Sequence, residues 1–341
     1  SGLAKIPGLL KAGFGKLESF GLFKMDKALK QSALEMGVLS KQAGSFRQNI
    51  LDSVLGNTKL GQSTLEIGIG IEELAKIQSQ YAEGLGRNVI LGDEASQAMA
   101  DLAKGPILGA DGAAILASEM NVVGKSARTT RDYIDQTMND AHAMGLNASK
   151  VIKNIQGNIK LLNRFNFKTG SKGLAQMAES AARMGTSMEL VSGMAEKLFD
   201  IEGAVEMSAQ LQVLGGEWSK LADPFKLMYM ARNDMAALND AIINATISSA
   251  DFNEKTGEFD IAPLELQRLR KVAEAAGLDF EQLAVSAKKA AQFAAVKSQM
   301  SITPDKATSE FIENVAQFNE KGEAEITIKD KDKTVTKLVS Q

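Results

Sequence analysis

The sequence predicts an all-α chain of helical hairpins punctuated by glycine, with small β-hairpins near 251–261 and 323–339. Three observations point there. Apolar residues recur at helical spacing in most windows, as in Val191, Met194, Leu198, Ile201 and Val205, separated by 3, 4, 3 and 4 positions. That period lines five side chains along one stripe and calls for burial against a neighbouring element. Met36-Gly37, Met144-Gly145, Met184-Gly185 and Ala276-Gly277 repeat one punctuation, each followed by a new helical pattern. Glycine just past a helix end adopts the left-handed conformation that other residues resist. Two short runs, finally, carry alternation and turn residues instead of helical spacing.

Taken in order, residues 1–46 are basic and glycine-rich. Over the first thirty residues Lys5, Lys11, Lys16, Lys24, Lys27 and Lys30 face only Glu18 and Asp26, while Phe14, Phe20 and Phe23 join Leu3, Ile6, Leu9, Leu10, Leu17 and Leu22 on the apolar side. A segment of this kind docks on a partner helix or lies in a membrane interface. Packing is the commoner fate of an amphipathic helix. Lys5, Lys11, Phe14, Lys16, Phe20, Phe23 and Lys24 are its candidate contact residues.

Residues 47–124 read as an irregular helical region. Leu65–Ile71 alternates briefly, but the helical period of Glu72–Ser79 carries the whole as helix. Gly105-Pro106 and Asp111-Gly112 are the candidate boundaries in this half. A helix is expected over about 125–144. Asn147 then caps another, with Ile152, Ile155, Ile159 and Leu162 on its buried stripe. The stripe of Val191–Val205 reads as one helix, stopped by Gly215-Gly216. Asp223-Pro224 opens the next, with a carboxylate at the cap and a ring that pre-sets φ.

The glycine-free run 225–250 reads as helix, and Asp251–Ile261 as a hairpin turning at Thr256-Gly257. Helices follow at about 263–276 and 278–300. The second carries Phe280, Leu283, Ala287, Ala290 and Ala294 on one stripe, small enough for a neighbour to approach closely. Residues 125–303 thus form a helical domain, and 304–341 a short helix to about 319 followed by strands at Glu323–Lys329 and Thr334–Val339.

Composition excludes several chemistries. There is no cysteine, hence no disulfide or thiolate metal site, and a single histidine, His142, which excludes a multi-histidine zinc site. His142 sits near a helix end, where free carbonyls await a partner. The net charge of −3 is not that of a dedicated nucleic-acid binder. No apolar run reaches the roughly 18 residues of a membrane span, and no cleavable signal is visible. Glu119–Ser126 ends like a phosphate loop but has Glu119 where the leading glycine belongs, and Asp251–Gly257 starts like a calcium loop but has Ala262 where a bidentate Glu belongs. Neither is read as a site, no carboxylate pair is selected as an acid/base couple, and no cofactor is expected.

The sharpest charge feature lies between Ala141 and Ala178, which holds no acid. Lys150, Lys153, Lys160, Arg164, Lys168 and Lys172 are interleaved with Phe165 and Phe167. Cations with interleaved aromatics suit phosphate contact and base stacking. The plainer reading is a solvated face, or pairing with the acids that follow at Glu179, Glu189, Glu196, Asp200, Glu202 and Glu206. Neighbouring segments of opposite charge also suit contacts between subunits.

Met184–Ser187, Leu198–Glu202, Leu211–Gly216 and Leu221–Pro224 together resemble a segment of phage tail tape-measure proteins. Leu162–Phe167, the Asp251–Ile261 hairpin and Ala276–Leu278 extend the resemblance over roughly 125–300. It implies a non-enzymatic virion protein in the tail lumen or particle interior, expelled ahead of or with the genome into the host envelope or cytoplasm. It further implies copies of itself, tail tube or other virion proteins as partners, with transient contact to phage DNA, and to a host membrane at the N-terminus. A rod of 341 helical residues would reach about 500 Å. The glycine breaks exclude that rod here and leave room for a related cargo or ejection protein; a peptidoglycan-degrading tail domain is the rival from another class.

Overall fold

A computed structural model of the chain describes residues 71–340 apart from 88, 90, 106, 302, 303, 331 and 332. The basic N-terminal segment, with Lys5, Lys11, Phe14, Lys16, Phe20, Phe23 and Lys24, the break at Gly37 and the alternation up to Gly70 lie outside the described residues. Within them the protein is mostly helical, with fifteen α-helices and two small antiparallel sheets of two and three strands. Two compact units divide between Tyr133 and Ile134.

The described part of the first unit is built on α1 (Ile71–Gly84), α2 (Asp93–Lys104) and α3 (Gly109–Val122). Helix α3 packs on both others and buries Ala113, Leu116, Ala117 and Met120 against Ile77, Tyr81, Met99 and Leu102. Gln78 ties the α1–α2 connection to the core, its Oε1 accepting from Leu91 N at 2.8 Å and its Nε2 donating to Val89 O. Gly105 does follow a helix end, but Asp111-Gly112 marks no boundary. Both lie in the first turns of α3, where Asp111 meets Lys76 at 2.6 Å and Gly112 is buried. The start of α4 (Ala127–Ala143) adds Arg131, which bridges to Asp101 at 3.2 Å. The division between units falls inside this helix, past the expected start of a domain at 125.

The second unit runs from Ile134 through α5 (Ala148–Asn158), α6 (Leu161–Arg164), α7 (Ser171–Met184), α8 (Ser192–Lys197), α9 (Ile201–Leu214), α10 (Gly216–Ser219), α11 (Pro224–Asn233), α12 (Met235–Thr246) and a 3-10 turn at Ile247–Ser249. The hairpin β1 (Asp251–Asn253) and β2 (Glu258–Asp260) leads to α13 (Pro263–Ala276), α14 (Phe280–Gln299) and α15 (Lys306–Val315). Strands β3 (Gln317–Phe318), β4 (Ala324–Asp330) and β5 (Lys333–Leu338) close the chain.

Local signals act as read. Asn147 Oδ1 accepts from Lys150 N at 3.1 Å, and Asp223 Oδ1 from Phe225 N and Lys226 N at 3.0 and 3.1 Å. Gly145, Gly185 and Gly277 end α4, α7 and α13 with φ near +70°. Ile152, Ile155 and Ile159 are buried, with Leu162 half-buried.

Two long helices expected from the pattern are broken. The stripe of Val191, Met194, Leu198, Ile201 and Val205 divides between α8 and α9. The first three side chains are fully buried, but Ile201 and Val205 are 48% and 50% exposed. The chain turns at Leu198–Asp200, where Asp200 Oδ1 accepts from Gly203 N at 2.7 Å and restarts a helix on a new axis. Gly203 permits that turn: a Cβ there would sit 2.0 Å from Lys197 O. The 225–250 run is likewise broken at Asp234, which caps α12 through Ala237 N. Met235 N donates to Asn166 O at 3.0 Å and Asn166 Nδ2 to Arg232 O at 2.8 Å, so a distant segment holds the break.

Helix α14 is the hub of the second unit. It packs on α7, α12, α13, α15, the 3-10 turn and three strands. Ala287, Ala290 and Ala291 give it a small-residue face for these approaches, as the alanine stripe predicts, although Ala294 is exposed. The first hairpin pairs Phe252 with Phe259. Phe259 then meets Phe318 edge-on at 5.0 Å, joining the two sheets. Strand β3, unread in the sequence, ends the last helix at Val315 instead of 319 and pairs with β4. Gln299 fastens that sheet to α14, accepting from Ala324 N at 2.7 Å and donating to Gly322 O at 2.9 Å. Residues 304–341 therefore belong to the second unit.

Candidate functional site

The acid-free stretch is distributed over α5, α6, the turn after it and the start of α7. Lys150, Lys153, Lys160, Arg164, Lys168 and Lys172 are all exposed. Phe165 and Phe167 are not: they retain 4% and 8% of their surface. From Arg164 to Lys168 burial alternates out, in, out, in, out, the period of an extended segment. Phe165 packs on Phe199 with ring centroids 6.2 Å apart, and Gly173 lies against the Phe167 ring. Base stacking by these two rings is therefore excluded; their structural work is to anchor the strap that clamps the α11–α12 break.

Pairing with following acids accounts for one cation only. Arg164 meets Glu196 and lies 5.4 Å from the centre of the Phe165 ring. None of the five lysines forms an ion pair among the described residues. They remain five solvated cations on one contiguous stretch of chain. His142, in the last turn of α4, is exposed.

A second cluster escaped sequence reasoning. Glu179 on α7 is half-buried, and burial first, then the Asp140 and Glu310 carboxylates, push its pKa up to about 7. One turn further, Arg183 pairs with the buried Glu313 of α15 and lies 4.4 Å above the Phe293 ring. Ser309 Oγ donates to the other Glu313 oxygen at 3.1 Å. Nothing local marks Glu179, because its neighbours in space come from residues 140 and 310. Protonation of Glu179 relieves its repulsion from Asp140 and Glu310.

The third feature is apolar. Helices α9 and α11 pack together in antiparallel fashion, with Arg232 Nε donating to Phe199 O at 2.7 Å and Ser208 Oγ to Ala222 O at 2.6 Å. Besides the side chains they bury, they expose Ile201, Val205, Val213, Phe225 and Tyr229, the last three at 87%, 68% and 58%. These side chains lie on two helices packed against each other, and contiguous exposed apolar surface marks contact sites.

Set beside protein-family models, curated proteins and solved structures, the chain matches none of them. The comparisons lend no support to the tape-measure resemblance, which rests on its sequence motifs alone. Among the described residues, no helix is long and apolar enough to cross a membrane.

Proposed function

We propose that the chain is a non-enzymatic virion protein of tape-measure type, held in the tail lumen or particle interior and expelled ahead of or with the genome. The observation that carries this reading is a coincidence of place. The segment that resembles tape-measure proteins, Met184–Pro224, is also where Ile201, Val205 and Val213 stay exposed. A segment that recurs for its shape and keeps apolar side chains facing outward is a contact element, suited to further copies of the chain or to tail tube proteins. Mostly short helices, several of them ended or preceded by a glycine such as Gly145, Gly185 or Gly277, also suit a protein that must rearrange to pass a narrow channel.

Mass spectrometry of purified virions before and after triggered DNA release tests it. The chain should be present before and gone after. Retention in the emptied particle would make it a fixed structural part, and absence from both would end the virion reading.

A second reading, transient contact with DNA, rests on the five unpaired lysines between 150 and 172. It needs phosphate contact alone, since the aromatic rings are buried. Salt-dependent retention on DNA, lost on neutralising Lys160, Arg164 and Lys168, would favour it.

A further inference from the structure

A cavity of about 320 Å³ lies within the second unit, between the turn into α5, the end of α7, the middle of α14 and the α15–β3 connection. That volume is at the lower end for small-molecule sites. Its walls hold three cations from three helices, Lys150, Arg183 and Lys289, and one carboxylate, Glu313. Both Glu313 oxygens are already engaged, one by Arg183 and one by Ser309 Oγ. Lys150 and Lys289 form no ion pair among the described residues. The cavity therefore carries two uncompensated positive charges, and the positive end of α5 begins at Asn147 on the same wall.

Two wall residues also hold buried polar atoms without a partner, Nε of Arg183 and Oδ1 of Asn314. Asn314 is fixed in that orientation, because its Nδ2 donates to Met144 O at 2.8 Å. A buried orphan donor and a buried orphan acceptor each cost about 1–3 kcal/mol when nothing meets them. A ligand with acceptor oxygens for Arg183 and the lysines and an O–H for Asn314 would satisfy both, since each atom belongs to a residue of the cavity wall.

We propose that this cavity binds a phosphate-class oxyanion, inorganic phosphate or the terminal group of a phosphate monoester. At neutral pH such a group carries negative oxygens and can keep one P–O–H, which matches the donor and acceptor set. Sulfate and carboxylates have no proton to offer Asn314 at that pH. The proposal is independent of the virion reading, since it depends only on residues facing one cavity.

Isothermal titration of the full chain with inorganic phosphate, at matched ionic strength, tests it, with sulfate, acetate and adenosine monophosphate as parallel probes. Saturable one-to-one phosphate binding is expected, with sulfate and acetate weaker. Lys150→Gln and Lys289→Gln should each weaken phosphate about tenfold, whereas Lys153→Gln, outside the cavity, should not. Ala182→Met, which fills the cavity without changing charge, should abolish binding, and circular dichroism melts establish that each variant folds. Equal affinity for phosphate and adenosine monophosphate would identify the free ion as ligand, and tighter monophosphate binding a monoester. No saturable phosphate binding, binding unchanged in both Lys150→Gln and Lys289→Gln, or sulfate bound as well as phosphate would overturn the assignment.

Discussion

Two segments of the second unit start from similar sequence and end in opposite situations. Both α5–α7 and α9–α11 open on a side-chain cap, Asn147 or Asp200, and both carry apolar residues at helical spacing. In the first, Ile152, Ile155, Leu174 and Met177 are buried and the lysines are exposed. In the second, Ala204, Met207 and Leu211 are buried, but Ile201, Val205 and Val213 are left outside. The first segment completes its burial within the chain, and the second has apolar side chains to spare. Hydrophobicity alone does not decide which side chains are buried; the number of faces that find a neighbour does.

The comparison can be broken most directly at its buried end. Leu174→Ala should lower folding stability by about 2–5 kcal/mol, as expected for a large-to-small change in a packed core. Urea denaturation would read this; a loss under 1 kcal/mol would mean that α7 is not a core helix. Next comes the buried carboxylate of the first segment. Glu179 has its folded pKa raised to about 7 from 4.5, so the folded state binds more protons than the unfolded state between those values. Stability should therefore fall as pH rises from 4.5 toward 7, by on the order of 2 kcal/mol. Glu179→Gln should remove that fall; an unchanged pH profile would show that burial and the neighbouring Asp140 and Glu310 do not raise the Glu179 pKa.

Gly203→Ala probes the turn that parts the two fates of the stripe. Its Cβ would meet the Lys197 carbonyl, so a loss of about 1–3 kcal/mol is expected. A neutral result would mean that α8 and α9 join without the close approach. Cap removal should cost about 1 kcal/mol at Asn147→Ala and at Asp200→Ala alike, because both segments begin by the same device. Smallest of all should be Val213→Ser, within about 0.5 kcal/mol of the parent. A large loss there would contradict the exposure that sets the second segment apart.

Much of the fold was legible because its signals are local. Asp223-Pro224, Asn147 and the Thr256-Gly257 turn place their elements with contacts spanning two to four residues. The break at Asp234 had a capping residue in plain view, but no glycine drew attention to it, and its support comes from Asn166, far away in sequence. Strand β3 is two residues long and exists only because β4 returns beside it. For the candidate site, the sequence located the cations but left open whether Phe165 and Phe167 face a ligand or the core. The same alternation of residues serves a stacking surface and a strap with its rings turned inward, and only burial separates them.

By itself the sequence determined the helical class, most starts and stops, the first hairpin and the acid-free cationic stretch, since cap chemistry, glycine conformation and charge are properties of near neighbours. The tertiary structure decided which part of the Val191–Val205 stripe is covered. It also brought Asp140, Glu179 and Glu310 together and enclosed a cavity among Lys150, Arg183, Lys289 and Asn314. Those outcomes depend on packing between segments far apart in the sequence, and helical periodicity shows which residues share a face without showing what that face will meet.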